Sequence, residues 1–260
     1  MAGYDTDLSD DQWTYLKGYF PKPQKMGRPK KYYPRFILNA IFYLDKTGCQ
    51  WRSLPKDFPP WDTVYYYFSL WTKNGLLQVI HNELRGNIRL CSNKDSKPSA
   101  LIIDSQSSKG SETSHRSGYD GGKKVKGRKR HILVDTLGLL MIVIVHSAAI
   151  QDRQGAQLIF NQLDKLPHNV ELIWADRGYS GELVERTSLD RDYEIEIVKH
   201  SEKQTGFKVL PKRWIVERTF SWILKNRRLS KSYERQEKHE ESMVYISMIR
   251  LMLNRAIPRK

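Results

Sequence analysis

Two short apolar runs, each closing on an aspartate, limit the folds open to this chain: Leu101-Ile102-Ile103 ends at Asp104, and Leu172-Ile173-Trp174-Ala175 ends at Asp176. Such runs are too short for helices and read as buried strands. A third acid, Glu217, interrupts the helical stretch Trp214-Ile215-Val216. The three lie far apart along the chain, so only a sheet with a helix packed on it can bring them together. Two ionised carboxylates about 4 Å apart repel by roughly 4 kcal/mol at an effective dielectric near 20. Three that converge therefore require cations, and hard divalent ions with oxygen ligands, Mg²⁺ first, are the natural compensation. Two such ions about 3.5 to 4 Å apart can activate a nucleophilic oxygen and stabilise a leaving oxygen. Each acid also has a plainer reading. Asp104 can cap a strand end, Asp176 can open a turn in Asp176-Arg177-Gly178, and Glu217 can pair with Arg213 one helical turn earlier.

Around these acids the periodicity changes once. In the first 90 or so residues it is helical. Ser9 and Gln12 form a capping box, Pro34 suits a first turn before Phe36, Ile37, Ala40, Ile41 and Leu44, and Gly48 ends that run. A third helix carries Val64, Phe68 and Trp71, and a fourth is predicted from Leu76 to about Leu84. Helices joined by a turn are compatible with a helix-turn-helix DNA reader. The polar segment 91–99 is a linker. Beyond it come strands at 101–103, 131–134, 139–145, 171–175 and 193–198, with helices at about 154–163, 212–225 and 238–255. The order is α/β with a mixed sheet flanked by helices, preceded by a small all-α helix-turn-helix-like domain. The domains are predicted as 1–95 and 96–260.

The chain carries 44 Lys and Arg against 29 Asp and Glu, a formal net charge of +15. The excess is clustered from Lys22 to Arg35, from Arg116 to Arg130 and from Lys208 to Arg235. Three separated basic segments suit a long polyanion, because each neutralised phosphate releases counterions. Candidate DNA contacts are Arg28, Lys30 and Lys31 in the first segment and Lys123, Lys124, Lys126, Arg128, Lys129 and Arg130 in the second. Arg213, Lys225 and Arg228 are the candidates in the third. The glycines of Gly118 to Gly127 allow close backbone approach to phosphate, whereas the plainer reading of that segment is a charged hairpin tip. The longest apolar run, Leu139 to Val145, is far below the roughly 18 residues of a membrane span. Without a secretion signal, the expected location is the cytoplasm, in association with the nucleoid. Cys49 and Cys91 stand alone and support neither a disulfide framework nor a zinc finger. His131 and His146 read as strand residues, and Asp152 as an accessory acid or a helix cap.

Four segments in order carry a family resemblance: Ile103-Asp104-Ser105-Gln106; Gly118-Tyr119-Asp120-Gly121-Gly122-Lys123-Lys124 with Lys126-Gly127-Arg128-Lys129-Arg130-His131; Ala175-Asp176-Arg177-Gly178-Tyr179; and Arg213-Trp214-Ile215-Val216-Glu217-Arg218-Thr219-Phe220. Together they resemble DDE transposases of bacterial insertion sequences, with insertion-sequence family five, in the family four and five superfamily, the most similar group. The resemblance covers nearly the whole chain, including Trp51, Leu54-Pro55, Phe58 and Trp61. It implies a ribonuclease-H-like catalytic domain in which Asp104, Asp176 and Glu217 are catalytic and bind two Mg²⁺ ions, with Mn²⁺ as a substitute. It also implies cleavage at the element's terminal inverted repeats and attack of the freed 3′-hydroxyl on target DNA, by a homodimer that holds two ends. Where those families usually carry a Tyr three positions before the Arg and a Lys seven after the Glu, this chain has Leu210 and Leu224, and Lys225 comes one position late. Two other readings stay open: a non-catalytic DNA-binding repressor, and a related nuclease that cuts without joining.

Overall fold

The computed structural model describes residues 3–21, 32–181, 190–198 and 212–258. Helix α1 (Asp10–Leu16) begins at the expected capping box, with the Gln12 N–H donating to Ser9 Oγ and the Ser9 N–H donating to Gln12 Oε1. Helix α2 (Pro34–Thr47) has Pro34 in its first turn and ends on Gly48 at φ 73°, a left-handed conformation that glycine takes without strain. Helix α3 (Trp61–Lys73) buries Val64, Phe68 and Trp71. Helix α4 (Leu76–Cys91) runs past the expected end near Leu84, because Arg85 and Arg89 prolong its buried face. There Arg89 meets Asp135 at 2.6 Å.

Strands β1 (Ala100–Lys109), β2 (Gly118–Asp120), β3 (Val125–Asp135), β4 (Leu140–Ser147), β5 (Leu172–Ala175) and β6 (Glu194–Ile197) form one mixed sheet. β3 pairs antiparallel with β1 on one side and with β4 and then β2 on the other. β1, β5 and β6 run parallel. Helix α5 (Asp152–Leu163) connects β4 to β5, and helices α6 (Arg213–Leu224) and α7 (Glu237–Ala256) follow β6. Alternation along the strands divides the side chains between two layers. Ile102, Ile132, Val134 and Trp174 join the core formed with α1 to α4, α6 and α7. Leu101, Ile103, Leu133, Ile173 and Ala175 join the core under α5. The amino-terminal helices thus share one core with α7 and the sheet, and packing is continuous across residue 95.

Two strands are longer than their apolar runs. β1 continues from Asp104 to Lys109, and β3 starts at Val125 rather than at His131. Their polar halves pair with each other, Asp104 opposite Ile132 and Ser108 opposite Arg128, so hydrogen bonding rather than apolar burial extends them. The segment 118–130 is therefore two strands around a turn at 121–124.

Four residues expected to contact DNA are instead buried in the fold: Arg128, Lys129 and Arg130 on β3, and Arg228 after α6. Arg128 and Arg130 are fully buried and hold Glu240 of α7 at 3.1 and 2.7 Å. Their other donors reach backbone carbonyls, those of His115, Glu234 and Arg235 for Arg128 and those of Leu229 and Lys231 for Arg130. Lys129 is buried between Asp152 at 3.0 Å and Asp120 at 3.3 Å. Arg228 is buried against Glu234 at 2.7 Å and also donates to the Cys49 carbonyl. A guanidinium tolerates the interior only when its donors are met and its charge is paired, and these conditions hold here.

Candidate active site

The pairing of β1 with β5 ends at Ile102 opposite Trp174, and the two strands part beyond it. Asp104 and Asp176 stand on either side of that opening and line one narrow pocket with Trp174, Val198, Arg213 and Val216. Both share the alternation of Ile102 and Trp174, which directs them to the α6 side of the sheet. Asp104 is half-buried, and its Oδ1 accepts the Ser105 N–H at 2.7 Å. Burial raises the pKa of its carboxyl to about 6, the Asp176 charge adds to that rise, and the Ser105 N–H, Lys123 and Arg213 act against it. Asp176 accepts the Gly178 N–H at 2.9 Å and so caps the short 3-10 turn Arg177–Tyr179, and the buried Tyr179 side chain pins that turn to the core. The turn-opening role and the place in the pocket are both realised.

Glu217 sits differently. Its side chain is 58% exposed and pairs with Arg213 Nε at 3.2 Å, the helical ladder that its spacing also allowed. It lines a neighbouring cleft with Gln106, Phe220, Ser221, Leu224 and Lys225. Arg213 links the two places, since it also lines the pocket of Asp104 and Asp176. The structure brings Asp104 and Asp176 together and leaves Glu217 on the flank. Among the described residues no group of three or more His, Cys, Asp and Glu side chains is placed to hold a metal ion.

Lys123 Nζ donates to the Ser105 carbonyl at 3.0 Å, which brings its charge beside Asp104. Lys124 is exposed on the same turn, Lys126 is exposed at the start of β3, and Lys225 is exposed at the end of α6. Arg28, Lys30 and Lys31 lie outside the described residues. Arg227, exposed beside the buried Arg228, is the member of that pair open to solvent. Asp120 was also missed as a structural acid. Burial would raise its pKa, but hydrogen bonds from Ser107, the Lys123 N–H and Lys129 bring the carboxyl down to about 2. Its place before Gly121-Gly122 was the available signal, since Asp commonly accepts from the backbone of the turn that it opens. His131 and His146 are strand residues with Nδ1 and Nε2 2.8 Å apart.

A family model described as a transposase DDE domain matches residues 95–252. The chain belongs to the DDE transposase family. A second model, described as a putative transposase of the IS4/5 family, matches residues 8–81, so the family membership is of that type. A putative transposase for insertion sequence element IS402 of Burkholderia cepacia is 31% identical over 120 residues, covering 42% of this chain and 55% of the relative. An uncharacterized protein, y4sN, of Sinorhizobium fredii (strain NBRC 101917 / NGR234) is 30% identical over 70 residues, covering 27% of this chain and 56% of that relative. The chain spans about half the length of these curated relatives. No helix among the described residues is long and apolar enough to cross a membrane.

Proposed function

We propose that this chain is a transposase that cleaves DNA phosphodiester bonds at the terminal inverted repeats of an insertion sequence and joins the freed ends to target DNA. The observation that carries the reading is the pair of half-buried carboxylates, Asp104 and Asp176, in one pocket where β1 and β5 part. Ligand sites in α/β sheets gather at such strand ends. The sheet supports a ribonuclease-H-like domain, with antiparallel pairing of β1, β3 and β4 followed by parallel addition of β5 and β6. In this reading residues 96–260 are catalytic and residues 1–95 bind DNA while packing on the same core.

The donor set suits a hard divalent cation, Mg²⁺ with Mn²⁺ as a substitute. Two carboxylates in mutual repulsion, one of them shifted upward by burial, need positive charge, and the described residues place no ion-pair partner against Asp104. Asp104 and Asp176 would hold the first of two ions, and Glu217 would join them by exchanging its exposed pairing with Arg213. Bound cations supply Lewis-acid activation of the nucleophilic and leaving oxygens. Lys123, Lys124, Lys126, Arg213 and Lys225 would contact phosphates, with Arg28, Lys30 and Lys31 extending the DNA surface. Two chains would hold two element ends.

A repressor gives no reason for two carboxylates to share a pocket. The test is cleavage of DNA carrying the inverted repeats that flank the gene. Asp104→Asn, Asp176→Asn and Glu217→Gln should each abolish strand cleavage in Mg²⁺ and leave binding largely intact. Cleavage that persists in Asp104→Asn and Glu217→Gln would sink the assignment, and cleavage without joining would leave the nuclease reading.

A further inference from the structure

We infer that Asp152, held by Lys129 and Ser105, is a positioning residue that sets the cation affinity of the Asp104 and Asp176 pocket from the opposite face of the sheet. The inference rests on the cation-binding reading above. Ser105 follows Asp104 on β1 and points to the other layer, where its hydroxyl donates to Asp152 Oδ1 at 2.9 Å. The same oxygen accepts from Lys129 Nζ at 3.0 Å, and Lys129 also donates to the Ile150 carbonyl at 3.1 Å. Ser105 is buried, Lys129 is almost enclosed, and Asp152 keeps 28% side-chain exposure. One oxygen is thus fixed inside, and the other is turned elsewhere.

That other oxygen, Oδ2, faces the Asp176 turn. A Cβ at Gly178 would stand 3.5 Å from Asp152 Oδ2 and 3.0 Å from Asp176 Oδ1. The two carboxylates therefore crowd the side of Gly178 that lacks a side chain. Asp152 is the first residue of α5, and that helix is seated tightly: a Cβ at Gly155 would collide with the His131 ring. His131 Nε2 in turn lies 3.6 Å from Asp152 Oδ1. The network reaches both pocket aspartates, Asp104 through its chain neighbour Ser105 and Asp176 through the turn at Gly178. Partners that orient metal-binding carboxylates typically change metal affinity about 10- to 100-fold when removed.

Mn²⁺ binding to the whole chain, without DNA, reads this directly by electron paramagnetic resonance of the free ion. Asp152→Asn should weaken Mn²⁺ binding about ten-fold or more, and Asp152→Glu should restore part of it. Ser105→Ala, which keeps the Lys129 and Asp152 pair, should give a smaller loss in the same direction. It serves as the deciding variant if Asp152→Asn fails to fold. A purely structural Asp152 would lower the unfolding midpoint and leave the Mn²⁺ constant of the folded protein unchanged. That result, or wild-type affinity in Ser105→Ala where Asp152→Asn does not fold, would overturn the inference. Absence of Mn²⁺ binding by the wild-type chain would instead remove the cation site itself, and this inference with it.

Discussion

Six basic residues lie between positions 123 and 130, and the two halves of that segment live in opposite environments. Lys123 and Lys124 are exposed at a turn and Lys126 at the first residues of β3 beside it, whereas Arg128, Lys129 and Arg130 are sealed inside with their own acids, Glu240, Asp120 and Asp152. The same contrast divides the acids. Glu240 receives two arginines and the Ser232 hydroxyl, while Asp104 has Asp176 for a neighbour and no ion pair among the described residues. Charges completed within the chain build the fold. Charges left incomplete at a strand opening or a turn are the ones available to a cation or a phosphate.

The contrast can be broken by mutation, and the largest effect is expected inside. Arg130→Ala leaves Glu240 buried with half of its compensation, and removal of one partner from a buried pair costs about 3–5 kcal/mol. Urea unfolding checks this, and a loss below about 1 kcal/mol would mean that Glu240 is not sealed. Replacing Arg128 and Arg130 with Met and Glu240 with Leu in one variant should cost less than Arg130→Ala alone, because no uncompensated charge remains. The opposite outcome is expected for Lys123→Ala, Lys124→Ala and Lys126→Ala combined. Stability should move by no more than about 0.5 kcal/mol, while the slope of log DNA affinity against log salt should flatten by up to about 2.7. An unchanged slope would mean that this turn does not touch phosphate.

The smallest effect concerns Asp104 in the metal-free protein. Its carboxyl holds a proton up to about pH 6 when folded, against 3.8 for an ordinary aspartate carboxyl. The folded state thus binds more protons across that window, and stability falls as pH rises from about 4 to about 6 before levelling off. Asp104→Asn should flatten that fall, as seen in unfolding midpoints measured with chelator across pH 4 to 7. An identical pH dependence in the variant would place the titrating group elsewhere.

Much of this arrangement is legible in the sequence, and the exceptions have a common cause. Ser9, Pro34 and Gly48 mark helix ends through local backbone chemistry, so α1 and α2 fall where the residues put them. The apolar runs that end on Asp104 and Asp176 mark where β1 and β5 part. The second half of β1 and the first half of β3 lie outside the apolar runs because their residues are polar, and what keeps those residues in a sheet is pairing with each other. Likewise the acid that buries Arg130 lies 110 residues away, beyond any local pattern. The Glu217 spacing allows two readings, and its pairing with Arg213 is the plainer of them.

The most direct measurement is thermal unfolding of the wild-type chain and of Asp104→Asn, with Mn²⁺ and with chelator. A cation that binds only the folded state raises its stability by mass action. If Asp104 and Asp176 form a cation site, the wild-type midpoint rises with Mn²⁺ and the Asp104→Asn midpoint does not. Equal Mn²⁺ shifts in the two proteins, or none in either, would contradict it.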